Sequence, residues 1–358
     1  MRKSLQRCAA IGVALVLGLV LTEGLLRLLQ LAPTNSVVTV TETEFRSSPG
    51  LLSPHQNLTD RRDPRLPYRL TTNSLGYRGT EFPLRKERDA FRILFTGDSF
   101  AFGDFVGDDQ TLPAQLERRL AGRCGHVRVV NAGLDAATIV DEARMIERGL
   151  ALSPDLVIVL FSENDVADLN GPLIWDQLAA NRRAKSRFLL SMLYPLLRRT
   201  ALWNLALNLR AGFRAHEHAV RLDWKADGAD SVTQRLRETY RRSLLAVRDT
   251  LDARGIPLVL LAYPSHFNVT SEARRGQLVW LARTAAEVGI TAVNLLPPLL
   301  ASGLPADSLY LLPYDGHPSP RGYEITAAYL AQRLASAGRL AACSTPRSPC
   351  REAVRVWR

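Results

Sequence analysis

Five short runs of mostly apolar residues punctuate the chain, at 92–96, 127–131, 156–161, 257–263 and 291–296. Between and after them, apolar residues recur at helical spacing near 111–122, 136–150, 233–254, 272–288 and 320–337. Strands that are apolar throughout are buried on both faces, and strands that alternate with helices pair in parallel. The pattern therefore predicts an α/β fold, a three-layer α/β/α sandwich built on about five parallel strands. The last helix has clear signals, with Ser319 as N-cap, Pro320 at its first position and Gly338 past its end.

The flanks read differently. Residues 1–32 form an N-terminal transmembrane anchor or signal. Arg2, Lys3 and Arg7 precede an uncharged run from Cys8 to Thr22, and the apolar character continues to Leu31, broken only by Glu23 and Arg27. An acid four residues before a base can pair on one helical face, which lets the longer segment span a bilayer. A cleavable signal is the rival reading, although no small-x-small site stands out and Pro33 follows Ala32. The leading basic residues put the N-terminus in the cytoplasm and the rest outside. Residues 33–90, rich in Thr, Ser, Pro and Arg, read as a stalk and irregular lead-in, in which Thr72–Gly79 is dense in turn formers. The α/β domain is expected at 91–340, with a tail at 341–358. An insert at about 170–231 is too long for an ordinary connection. Its leucine-rich stretches are bordered by Arg182, Arg183, Arg187, Arg198, Arg199 and Arg210. It is expected as a helical cap over the site; contact with an anionic membrane surface and packing on the sheet edge stay open.

The formal charge of +11 changes this picture little, because all but four of the 46 basic residues are arginine. That bias fits a GC-rich bacterial genome. There is no zinc-finger spacing, RNA-binding signature or basic tract interleaved with aromatics, so no nucleic-acid partner is expected. No cluster has metal-ligand spacing and no Gly-rich loop cradles a nucleotide, so neither metal nor cofactor is expected. Cys343 and Cys350 could close a small disulfide loop in an exported tail or remain two thiols. Cys124 reads as a buried, inert thiol.

The chemistry sits at strand ends. Gly97-Asp98-Ser99 follows the first apolar run, Ala132-Gly133 the second and Ser162-Glu163-Asn164-Asp165 the third, while Asp315-Gly316-His317 precedes the last helix. An open parallel sheet places its site at the carboxyl ends of its strands. Ser99 is the candidate nucleophile, His317 its base, and Asp315 the carboxylate that orients the base. Asp98 and Asp165 are expected to brace their loops through backbone hydrogen bonds. Of the other histidines, only His266, in Tyr263-Pro264-Ser265-His266, is placed to line a cleft.

These four blocks, in this order, resemble those of the SGNH, or GDSL, hydrolase family over roughly residues 70–338. The resemblance implies a flavodoxin-like sandwich, an acyl-enzyme mechanism and an oxyanion hole made by the Ser99 and Gly133 backbone N–H groups and the Asn164 side chain. Two positions depart from the family pattern. Ser162 stands where a Gly is usual two before the Asn, and Asp315 lies two rather than three residues before His317. Asp-x-His spacing also occurs in relatives such as the alginate O-acetyltransferases.

The expected activity is a serine esterase acting on carboxylic, chiefly acetyl, esters of cell-surface carbohydrate or on small esters. It would be held by one span in a bacterial inner membrane, with its catalytic domain in the periplasm or outside. An O-acetyltransferase passing the acyl group to a polysaccharide hydroxyl is the alternative. A non-catalytic scaffold working with polysaccharide-assembly proteins is a third reading.

Overall fold

The computed structural model describes residues 2–29, 31, 48–60, 63, 65–121, 126–176, 193, 196–197, 199–207, 209, 222, 224 and 230–336. Cys124, Cys343, Cys350, Gly338, the tail and most of the insert lie outside the described residues.

The five apolar runs form one sheet. Strands β3 (Phe91–Thr96), β4 (Val127–Asn131), β5 (Leu156–Phe161), β6 (Leu258–Ala262) and β7 (Thr291–Asn294) lie in the order β4-β3-β5-β6-β7. Every pairing in it is parallel. This is the doubly wound, flavodoxin-like order, in which the first strand of the sheet pairs on both sides and a crevice opens beside it. Alternate residues feed two cores. Ile93, Phe95, Ile158, Leu160 and Leu261 pack against α3 (Leu112–Ala121) and the last helix, α7 (Pro320–Ser336). Leu94, Val157, Val159 and Leu260 pack against α4 (Ile139–Gly149), α5 (Ser231–Asp252) and α6 (Gly276–Glu287). The period of two along each strand is what separates the faces.

Several expected boundaries shift. β7 ends at Asn294 rather than 296, because the Asn294 side chain accepts the Leu296 N–H at 2.9 Å and a proline-led helix, Leu296–Ala301, starts there. The helix expected from 272 begins as a single 3₁₀ turn, with α6 following at Gly276. Ser319 caps α7 as expected, its hydroxyl accepting the Gly322 N–H at 3.1 Å.

The lead-in is more ordered than its composition suggests. From Ser48 onward it packs on the domain, and β1 (Asn57–Asp60) pairs antiparallel with β2 (Tyr68–Thr71). The Thr72–Gly79 turn is closed by the Asn73 carboxamide oxygen, which accepts the Leu75 and Tyr77 N–H groups, and it bridges to Asn131 on the edge strand. At the other end, α1 (Arg2–Leu28) is a 27-residue helix whose span Gln6–Leu28 is long and apolar enough to cross a membrane.

Candidate active site

The parallel register brings the strand ends level: Phe95 pairs with Asn131, and Thr96 with Val159. The chain after β3 must then turn sharply into a short helix, α2 (Ser99–Phe102). Gly97 makes the turn at φ 150°, where a Cβ would stand 2.7 Å from Ala101 Cβ and 3.0 Å from the Leu160 carbonyl oxygen. Ser99 could have capped this helix, but the cap is Asp98, whose carboxylate accepts the Phe100 N–H at 2.9 Å. Its hydroxyl is directed elsewhere.

That hydroxyl meets His317. Ser99 Oγ lies 2.8 Å from His317 Nε2, and His317 Nδ1 lies 2.5 Å from Asp315 Oδ1. The same Asp315 oxygen accepts the His317 backbone N–H at 2.7 Å. A two-residue spacing suffices because one carboxylate oxygen holds both the backbone and the ring of the histidine. With Nδ1–H donating to Asp315, Nε2 presents its lone pair to the serine hydroxyl. The base loop is closed by Leu311 donating to the His317 carbonyl at 2.9 Å. It is seated on α2 through α7, where the Tyr323 hydroxyl donates to the Phe100 carbonyl at 2.9 Å.

Two aromatic rings flank the imidazole, Phe100 at 5.0 Å and Phe105 at 5.3 Å between centroids. Burial works against the imidazolium, but the Asp315 hydrogen bond and the charges of Asp104, Asp315 and Asp98 outweigh it and raise the His317 pKa above its usual 6.5. Burial also works against ionised Asp315, yet its bonds to His317 hold its pKa below the ordinary 3.8. The pair is built to accept a proton on Nε2 and keep it while a negative charge develops nearby.

Gly133 and Asn164 are brought to the same place. A Cβ on Gly133 would lie 2.2 Å from the Phe102 backbone nitrogen. The glycine thus admits the backbone of α2, one turn past the serine, rather than room for substrate. Its N–H is met by Asn131 Oδ1 at 3.1 Å. One Asn164 N–H donates to Asp168 at 2.6 Å, and the amide also hydrogen-bonds the Asp98 carboxylate. Ser162, in the place of the usual glycine, is wholly buried. Its hydroxyl lies 2.7 Å from Asp98 Oδ2, 2.7 Å from Asn164 Oδ1 and 2.9 Å from Asp165 Oδ1. One hydroxyl has one proton to give, so a neighbouring carboxyl must bring another. Burial, with the charges of Asp98 and Glu142, pushes Asp165 well above the usual carboxylate range, the direction that favours a shared proton in this cluster. Asp165 also accepts the Ser162 N–H at 3.1 Å, so each aspartate accepts a backbone N–H of its own loop.

Residues beyond the motifs complete the site. Arg78, 1% exposed at its side chain, pairs with Asp108 at 2.8 Å and donates to the carbonyls of Phe102 at 2.9 Å, Gly103 at 2.7 Å and Val106 at 2.5 Å. It fixes the loop that carries Asp104 and Phe105. Asp104 is itself held by the Tyr68 hydroxyl at 3.0 Å. In a chain so rich in arginine nothing marked Arg78, and only the density of turn formers around it hinted at a built segment. Tyr314, 52% exposed, stands beside Asp315 with the Arg65 guanidinium 5.0 Å from its ring centroid. His266 borders the same loop, with ring atoms 3.4 Å from where a Gly316 Cβ would be. Among the described residues no group of three or more His, Cys, Asp or Glu is placed to hold a metal.

Solved structures similar to the chain include Axe2, an acetylxylan esterase from Geobacillus stearothermophilus, at 17% identity over 69% of this chain and 96% of that one, with a TM-score of 0.42. LAE5, an alpha/beta hydrolase from the metagenome of Lake Arreo, matches at 18% identity over 71% and 96%, TM-score 0.42. A lipase/acylhydrolase from Enterococcus faecalis matches at 16% identity over 69% and 96%, TM-score 0.40. No curated protein sequence matches. The GDSL-like lipase/acylhydrolase family matches residues 95–325, a stretch that runs from the nucleophile strand into the final helix. With that match over most of its length, the chain belongs to the GDSL-like lipase/acylhydrolase family, and it is an ester hydrolase of the SGNH type.

Proposed function

We propose that this protein cleaves acetyl or other short carboxylic esters on cell-surface carbohydrate through a Ser99 acyl-enzyme. The observation that carries the reading is the unbroken hydrogen-bond chain from Ser99 Oγ through His317 to Asp315. His317 takes the serine proton as Ser99 attacks the ester carbonyl, then returns it to the departing alkoxide. A water activated in the same way releases the acid. The developing oxyanion is met first by the Ser99 backbone N–H; the Gly133 N–H and the Asn164 amide join it by exchanging Asn131 Oδ1 and Asp98 for the substrate oxygen, and such donors act most strongly where water is excluded. The exposed Tyr314 ring beside Asp315 supports a sugar substrate, because it offers an apolar face at the mouth of the site. The name of Axe2, an acetylxylan esterase, is consistent with that substrate class.

Transfer of the acyl group to a sugar hydroxyl is a second reading. It is favoured by the Phe100 and Phe105 rings, which shield His317 from bulk water. We place the protein in a bacterial inner membrane with α1 as its span, Arg2, Lys3 and Arg7 on the cytoplasmic side and the catalytic domain outside.

The test is hydrolysis of a chromogenic acetyl ester by the full-length protein in detergent, with and without an oligosaccharide acceptor. Ser99→Ala and His317→Ala should each lower kcat by roughly 10⁵-fold or more, and Asp315→Ala by roughly 10⁴-fold. Acetylated oligosaccharide as product would establish the transferase. Free acetate under both conditions would exclude it. An active Ser99→Ala variant would end the acyl-enzyme reading.

A further inference from the structure

A carboxylate near the end of an apolar helix needs a reason to be there, and in α1 Glu23 has one. Its two oxygens accept the backbone N–H groups of Ala201 at 2.8 Å and Leu202 at 3.0 Å, the first residues of a helical stretch at 201–207. Arg27 donates to Glu23 at 2.7 Å and to the Arg199 carbonyl at 2.6 Å. Leu26 and Ala201 are buried against each other, with Leu202 and Leu205 beside them. The last turns of α1 are thus clasped to the insert by three hydrogen bonds, with the Arg27–Glu23 pair bracing them from within α1, and by a small apolar contact. The clasp satisfies N–H groups that a helix start leaves without intrahelical partners.

The height of the clasp follows from helix geometry. Glu23 lies 17 residues beyond Gln6, where the candidate span begins, which at 1.5 Å per residue is about 26 Å of a hydrocarbon layer roughly 30 Å thick. If α1 crosses a bilayer, residues 199–207 are therefore held at its outer boundary. Around them the surface is apolar: Leu193 is 45% exposed, Leu196 63%, Leu207 42% and Leu209 54%, and Leu28 of α1 is 79% exposed. Arg27 and Arg199, both exposed, add cations at the same level. Leucines flanked by arginines form the surface that settles at the boundary of headgroups and acyl chains. The insert leaves the sheet at the carboxyl end of β5 and returns at the start of α5, the edge that carries Ser99.

We infer that the insert around Leu193–Leu209 rests on the outer surface of the bilayer that α1 crosses, with the Glu23–Arg27 clasp holding it there. Its partner is phospholipid: acyl chains for the leucines and phosphate headgroups for the arginines. The inference also makes α1 a permanent part of the folded protein, because cleavage after Arg27 would remove the clasp. It rests on the membrane reading given above, and the experiment separates the two.

The full-length chain, with its four native cysteines replaced by serine, is reconstituted into vesicles of mixed zwitterionic and anionic phospholipid. A bimane label is placed on Cys at Leu196, Leu207 or Arg254, the last lying at the far end of the 22-residue α5. Flotation after alkaline carbonate washing reports the span, and nitroxide lipids report label depth. The expected result is flotation, a blue shift and intensity loss at positions 196 and 207 with shallow nitroxides, and none at 254. Flotation with unquenched labels at 196 and 207 would overturn the docking inference and leave the anchor standing. Failure to float, or a mature protein that begins after Arg27, would overturn both. Glu23→Ala should keep flotation but lose quenching at 207, and retained quenching would show that the clasp does not hold the segment.

Discussion

Arg78 offers the sharpest test of how the nucleophile loop is held. Its fork satisfies three backbone carbonyls and one carboxylate inside the domain, and Phe102 and Tyr68 stack on it at 4.7 and 5.4 Å. Arg78→Met keeps most of the volume and removes every donor. Breaking a buried charge pair and orphaning its acceptors costs about 3–5 kcal/mol. For a domain of this size each kcal/mol is worth about 2–4 °C, so the melting temperature should fall by about 6–20 °C. Arg78→Lys keeps the charge but presents a point donor that cannot reach four acceptors at once, and it should recover only the Asp108 share. Thermal unfolding by near-UV circular dichroism in detergent, wild type against both variants, reads the difference. The loop also carries Asp104 and Phe105 to His317, so kcat should fall in step in both variants. A Lys variant as stable and active as wild type would refute the argument, since charge alone would then hold the loop.

Three further outcomes are expected. His317 must be neutral to act as base and its pKa is raised, so the acid limb of kcat/KM should lie above pH 6.5, with activity lost as pH falls through it; Asp104→Asn removes one of the charges that raise it and should move the limb to lower pH, and a shift the other way would contradict the assignment. Glu142 is fully buried with no hydrogen-bond partner on either oxygen among the described residues, and burial, with the charges of Asp98 and Asp141, holds its pKa well above 4.5. Its contribution to stability is therefore complete below the unfolded pKa and lost as pH rises through the folded one, at about 1.4 kcal/mol per pH unit between them. Glu142→Gln cannot ionise, so denaturant titrations from about pH 5 to about pH 8 should show the variant gaining on wild type as pH rises. Asn164→Ala should cost kcat roughly 10²–10³-fold with little change in KM, and Asp168→Ala, which frees the amide to rotate, should lower kcat by less; an unchanged kcat for Asn164→Ala would remove it from the oxyanion hole.

Much of this architecture was legible in the chain because burial on both faces leaves a plain mark. A run such as Leu156–Phe161 has no polar face to confuse the reading, and the polar residues that follow each run fall at one edge of the sheet. The site residues were legible for the same reason, since Ser99, Gly133, Asn164 and Asp315–His317 each sit where a strand or helix signal stops or starts. What escaped is whatever depends on reach across the fold. Arg78 acts on carbonyls 24 to 28 residues away, and no local pattern encodes that. Ser162 read only as a departure from the usual glycine, whereas its hydroxyl binds two carboxyls and an amide into one buried cluster. At Gly133 no local pattern showed that a Cβ would meet the backbone of α2. The lead-in hid its hairpin because strands of four residues with mixed burial give too short a signal.

The order of the catalytic groups along the chain has a consequence in time. Ser99 and His317 are separated by 218 residues, and the loop bearing His317 is seated only when α7 docks through Tyr323. At about 5–20 residues per second a ribosome needs roughly 10–40 s to travel from one to the other. Throughout that interval the emerging chain has a serine with no base. On the proposed mechanism ester cleavage begins only once α7 has emerged and docked, so a chain that stalls or is clipped before α7 is silent rather than misdirected.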